Sequence, residues 1–262
     1  MIDIGANLAH DSFDHDRQAV MARAAAASIV QMVITGTSVA GSSAAAELAA
    51  DHPGVLYATA GMHPHHAGEF DDDATGQFRQ LAGLPQVVAV GECGLDHFRN
   101  FSTPAEQEHA FLAQLELAVE LQLPVFLHQR DAHETFITIV REYRDRISAA
   151  VAHCFTGSKA ELYDCLDLDL HIGVTGWICD ERRGHDLQEA VAGIPPGRLM
   201  IETDAPYLLP RDLEPKPKTR RNEPMHLPHI LAAVARHSGR DFNELARETT
   251  ATAREFFKLG GA

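Results

Sequence analysis

Short apolar runs recur along the chain with room for one helix between each pair. Residues 2–4, 29–35, 55–60, 87–96, 123–127, 149–152, 171–174 and 199–201 are rich in Val, Ile, Leu and Ala and carry few polar residues. Uninterrupted runs of that length predict strands buried on both faces, as in a parallel sheet, rather than strands with one wet face. Apolar positions at helical spacing fill the intervals, at 13–28, 38–50, 73–81, 103–121, 132–144, 158–166 and 186–192. Two more helices, at 228–237 and 242–257, close the chain. Thr103-Pro104-Ala105-Glu106 has the character of a helix start, with proline at the first helical position. Eight strands alternating with helices predict a (β/α)8 barrel of the TIM type, one domain over 1–262. A doubly wound open sheet is the alternative.

The polar residues that end these runs change the picture from fold to chemistry. The apolar part of 87–96 stops at Gly91-Glu92-Cys93-Gly94; the fifth run ends on His128 and the sixth on His153. A carboxylate at the end of a buried strand needs a cation, because desolvating it alone costs several kcal/mol or more. Neighbouring strands lie about 4.8 Å apart, so Glu92, His128 and His153 can converge on one divalent metal ion. Taken singly, each also reads as an ordinary salt-bridge partner or a satisfied near-core histidine. His63 and His65 follow the third run and Asp204 follows the eighth. In a barrel all of these share the C-terminal face, where barrel enzymes keep their active sites. Asp204 has the character of a further ligand, or of a base that orients and deprotonates water; its structural alternative is a helix cap. His63 and His65 are candidates for catalysis or phosphate binding, or else a proline-containing turn. Mixed imidazole and carboxylate ligation suits Zn²⁺, Mn²⁺ or Fe²⁺ better than Mg²⁺.

Charge and composition narrow the partners. The formal net charge is −15, which argues against nonspecific adhesion to nucleic acid or anionic membrane. The one dense basic stretch, Arg211, Lys216, Lys218, Arg220 and Arg221, follows the strand bearing Asp204. It reads as a loop over the barrel mouth that holds a polyanion, or as a solvated face. Arg99 and Arg130 also lie just past strand ends, and Trp177 and Phe155 either stack bases or pack against the rim. The four cysteines show no metal-binding spacing, and reduced thiols in the cytoplasm are the simplest reading. Cys93 and Cys154 each adjoin a proposed ligand, but strand alternation aims them away from it. The N-terminus has no signal-peptide pattern, and no stretch approaches the ~18 apolar residues of a membrane span. A soluble monomer is expected.

Longer motifs carry a resemblance. GMHPHH at 61–66, GECGLD at 91–96, NFSTP at 100–104, PVFLHQRDAHE at 124–134, HCFTG at 153–157, GWICDERRG at 176–184 and the stretch IETDAPYLLPRDLEPKPKTRRNEPMHLPHI at 201–230 together resemble the TatD-type metal-dependent deoxyribonucleases. The likeness runs from Asp3 to beyond His229. It implies a TIM barrel and a Mg²⁺-dependent nuclease, with metal ligands at Glu92, His128, His153 and Asp204 and with His63 and His65 at the site. Most of the wider family carries His-x-His at the end of strand one, where this chain has Gly5 and Asn7. The founding branch shares that departure. For that branch the resemblance implies a 3′-to-5′ exonuclease on single-stranded DNA that also degrades RNA, with a suggested part in repair of oxidised DNA. One ion held strongly and a second recruited with substrate is the corresponding expectation. A metallohydrolase of amides or esters, such as an aminoacyl ester, is the competing enzyme reading, and a metal-binding scaffold the non-catalytic one. The basic loop disfavours the first, and Asp204 the second.

Overall fold

A computed structural model describes residues 1–260. Eight parallel strands lie side by side in chain order: β1 (Ile2–Ala6), β2 (Gln31–Ile34), β3 (Leu56–Ala60), β4 (Val87–Asp96), β5 (Val125–Arg130), β6 (Ala150–Ala152), β7 (His171–Val174) and β8 (Leu199–Ile201). Helices α1 (Arg17–Ala26), α2 (Val39–Asp51), α3 (Asp72–Ala82), α4 (Pro104–Leu121), α5 (His133–Tyr143), α6 (Lys159–Asp167) and α7 (His185–Ala190) alternate with them. Two further helices, α8 (Leu227–Ser238) and α9 (Phe242–Phe257), follow β8. The seam between first and last strands is made by the chain just beyond β8. Asp204 N–H donates to the Gly5 carbonyl and Asn7 N–H to that of Ala205, both at 2.7 Å. Asp3, fully buried on β1, accepts from the Thr203 N–H and hydroxyl at 2.9 and 2.5 Å. The barrel alternative is therefore the correct one, and the open sheet is excluded.

Two apolar cores result. Strand residues facing outward pack with the helices, from Met32, Leu56 and Val90 to Leu115, Phe136 and Leu231. Those facing inward, including Ile4, Val33, Phe126, Val151 and Met200, meet Phe256 and Phe257 at the end of α9. That last helix thus plugs one end of the barrel. The other end, where the strands run out, is left for chemistry.

Local sequence explains most element boundaries. Thr103 and Glu106 form a reciprocal capping box at the start of α4, as Ser158 and Glu161 do for α6. Helix α1 begins at Arg17, later than the periodicity predicts. Residues 11–13 instead form a short 3-10 turn, because the His10 ring captures the Ser12 N–H. Strand β4 has the bounds of the run 87–96, continuing through the polar residues to Asp96 and paired with β5 as far as Arg130. A register shift falls between Gly91 and Cys93, and Glu92 N–H leaves the ladder to donate to the Gly36 carbonyl at 2.8 Å. Gly91 and Gly94 sit at φ of 128° and 144°, and a Cβ on either would strike a carbonyl oxygen of β5. The glycines permit the bulge, and the bulge re-aims Glu92.

Candidate active site

Period-two alternation delivers three site residues. Phe126, Val151 and Met200 face the barrel interior, and two residues further on each strand line come His128, His153 and Glu202. Layers stack from the plug upward: the Phe126 ring lies 6.5 Å from that of Phe257 and 4.6 Å from that of His153. The His153 and Glu202 side chains are buried to within a few per cent, so their geometry is set by packing.

Glu92 is the hub. Its Oε1 lies 2.8 Å from His128 Nδ1, 3.2 Å from His153 Nε2 and 3.5 Å from His63 Nε2. Burial opposes its charge, but the imidazoles of His63 and His153 outweigh it and hold the carboxyl well below its usual range. Burial likewise opposes charge on His153, and the Glu202 and Glu92 carboxylates overcome it, raising that histidine well above normal. His128 is raised too, with Asp96 and Glu92 overcoming desolvation. Protons on histidines thus neutralise the carboxylates in a place a divalent cation would fill.

Hydrogen bonding says which nitrogens suit an ion. His153 Nδ1 faces Glu202 Oε2 at 2.8 Å, which turns Nε2 and its lone pair towards Glu92. His128 Nδ1 is engaged by Glu92, and its buried Nε2 has no hydrogen-bond partner among the described residues. His63 is different. Its Nδ1 accepts the His65 N–H at 3.0 Å, and burial lowers its pKa to about 3. The neutral ring therefore carries its proton on Nε2 and donates from it. The ligand atoms of His63, Glu92 and His128 nonetheless lie within 4.8 Å of one another, a group that could hold a divalent ion, and His153 Nε2 stands 3.2 Å from the same Glu92 oxygen.

Burial raises the Asp204 pKa to about 7 against the opposing pull of His153. Its Oδ1 accepts from the Asn7 amide at 3.1 Å, so Asn7 orients this carboxylate. His65 Nε2 bonds Asp96 Oδ2 at 2.9 Å, and the same oxygen lies 3.4 Å from His128 Nε2. Asp96 and Glu202 are the residues sequence reasoning passed over. Met200 to Glu202 shows the same two-residue step as Phe126 to His128, and that signal was available. Asp96 ends the run 87–96, but only the folded chain shows that it reaches His65 and His128.

The basic stretch separates into anchors and tip. Arg211 pairs with Glu181 at 2.9 Å. Arg221 pairs with Asp16 and Glu223 at 2.7 and 2.9 Å, donates to the Ser12 carbonyl and lies over Phe13. As a free phosphate contact, the Arg221 expectation is corrected, because its fork is spent on holding the loop to α1. Lys216, Lys218 and Arg220 are exposed and make no ion pair among the described residues. Phe155 is buried in the outer core and stacks nothing. Two arginines lie near the Trp177 ring, Arg183 at 4.3 Å and Arg130 at 5.7 Å. Cys93 points into the outer core, away from the site.

Arg221→Ala should therefore act on stability. Losing a partly buried two-carboxylate clamp is expected to cost about 2 kcal/mol, a fall of roughly 4–8 °C in Tm, read by thermal melting. An unchanged Tm would return Arg221 to the substrate-binding face.

A histidine–carboxylate centre at the mouth of a parallel barrel places this protein among the metal-dependent barrel hydrolases. More narrowly, the chain belongs to the TatD-related DNase family, whose model matches residues 2–258. A 3′-5′ ssDNA/RNA exonuclease TatD from Erwinia amylovora is 54% identical over 259 residues, 99% of this chain and 100% of that one. The protein of the same name from Erwinia tasmaniensis is 53% identical over the same shares. Among solved structures, a TatD homologue from Escherichia coli superposes with a TM-score of 0.90 at 26% identity, covering 99% of this chain and 98% of that one.

Proposed function

We propose that this protein is a metal-dependent 3′-to-5′ exonuclease that hydrolyses phosphodiester bonds of single-stranded DNA and RNA, one barrel domain acting as a monomer. The observation that carries the reading is the full-length identity of more than half to relatives of that name. The histidine–carboxylate centre and the exposed cationic loop supply the parts the reaction needs. A divalent ion on Glu92, His128, His153 and Asp204 would polarise the phosphoryl oxygen and acidify water. Asp204, steered by Asn7, orients and deprotonates that water. His63 donates from Nε2 to a phosphoryl oxygen, and His65 stands beside it, held by Asp96. Glu202 keeps the His153 ring turned. Mg²⁺ is the ion the family resemblance implies, although imidazole donors also accept Mn²⁺ or Zn²⁺. Four free thiols suit a reducing cytoplasm, and trimming damaged 3′ ends in DNA repair is a fitting role. An amide or ester substrate would leave the tip lysines without a use.

Incubation with oligonucleotides labelled at either end tests the reading. The 3′ label should leave first, from single strands before duplexes, and EDTA should stop the loss. Release from the 5′ end, or chelator-resistant cleavage, would defeat it. Calorimetric titration of the chelated protein should show one tight site, with a second appearing only alongside an uncleavable oligonucleotide. Two tight sites in the free protein would mean that another residue does the work of the absent histidines at 5 and 7.

Replacing Lys216, Lys218 and Arg220 together with Ala should raise KM for oligonucleotides and leave Tm unchanged. It should also flatten the salt dependence, since three lost phosphate contacts at about 0.7 each lower the logarithmic slope by about 2. An unaltered slope would make the tip a solvated face.

A further inference from the structure

We propose that Phe98 and Phe101, on the loop after β4, form a stacking surface for the bases next to the scissile 3′ end. The proposal rests on the nuclease reading above. Phe98 is 55% and Phe101 67% exposed, and neither belongs to either apolar core. Rings left this open, at the rim of the site, have no packing role in the barrel. Both are tied to the reactive centre. The Phe101 ring lies edge-on to His65, 4.7 Å between centroids, and Phe98 N–H donates to Asp96, the carboxylate that holds His65.

The surface is rigid as well as close. Asp96 Oδ1 accepts from the N–H groups of both Phe98 and Arg99. The far end of the loop is fixed by Ser102, whose hydroxyl donates to the His65 carbonyl, and by Gln107, whose amide bonds the carbonyls of Asp96 and Ser102. Little freedom is left to lose when a base arrives. Arg130 lies 4.2 Å over the Phe98 ring and 5.7 Å from Trp177, and Arg99 lies 5.8 Å from the Phe98 ring, so guanidinium groups stand beside the surface, where a backbone phosphate would pass. Trp177, with Arg130 and Arg183 near its ring, is left as a support for these cations. An aromatic face rewards only a base whose own faces and pairing edge are free. In a duplex the inner bases are stacked on both faces and the end base keeps only its outer face free, so the surface favours unpaired ends, whose last bases can open both faces.

The test pairs Phe98→Ala, Phe101→Ala and the double variant with oligonucleotides whose last two 3′ residues are normal or abasic. For the wild type, removing the bases should raise KM about 5- to 150-fold per stacked base, the equivalent of 1–3 kcal/mol. Each variant should show a comparable rise on normal ends, and the double variant should be indifferent to base removal. With 2-aminopurine at the same positions of a phosphorothioate oligonucleotide, wild-type binding should quench its fluorescence and the double variant should not. A wild type that treats normal and abasic ends alike would overturn the stacking surface while leaving the nuclease reading intact. A double variant that still discriminates would place the stacking elsewhere and overturn it too. No cleavage of either substrate by the wild type would overturn both.

Discussion

Glu92→Gln should nearly abolish hydrolysis and loosen the divalent ion while the barrel stays folded. Glutamine keeps the shape of the side chain and removes its charge. That charge is the common partner of His128, His153 and His63, at 2.8, 3.2 and 3.5 Å. Removing one member of a buried, mutually neutralising set costs about 3–5 kcal/mol, or roughly 10²- to 10⁴-fold in the affinity of a cation for the site. Because Glu92 sits on a bulge rather than in the packed core, circular dichroism should be unchanged. Wild-type turnover by a folded Glu92→Gln protein would remove the metal centre from the mechanism.

Asp204→Asn should have the second-largest effect, and a different signature. A positioned general base contributes typically about 10²- to 10⁴-fold, and that factor should be lost from kcat with KM little changed. Calorimetry should still detect the ion, because Glu92 and the two imidazoles remain. Asn7 donates to this carboxylate, so Asn7→Ala should produce a smaller loss of the same kind by releasing its orientation. Disappearance of metal binding in Asp204→Asn would instead make Asp204 a ligand before it is a base.

Strand order and the placing of His128 and His153 were legible in the chain because both depend on local periodicity. A strand presents alternate residues to one face whatever its neighbours do, so an inward Phe126 or Val151 commits the residue two further on. Asp96 escaped the same logic. Its strand shifts register between Gly91 and Cys93, so counting alternate residues along 87–96 does not show which way Asp96 faces.

By itself, then, the sequence determined the alternation of strands and helices, the end of the barrel that carries polar residues, and the family to which those residues belong. Only the tertiary structure decided which like residues do which work. Arg221 looks like Lys218 in the chain, yet it closes on Asp16, 205 positions away. Phe155 looks like Phe101, yet one is buried in the outer core and the other lies open at the rim. His63 looks like His128, yet burial holds His63 neutral with a backbone N–H on Nδ1, while the Asp96 and Glu92 carboxylates favour a charged His128. Periodicity is a property of neighbouring residues and can be read from them. Charge pairing, burial and tautomer depend on groups that only folding brings together.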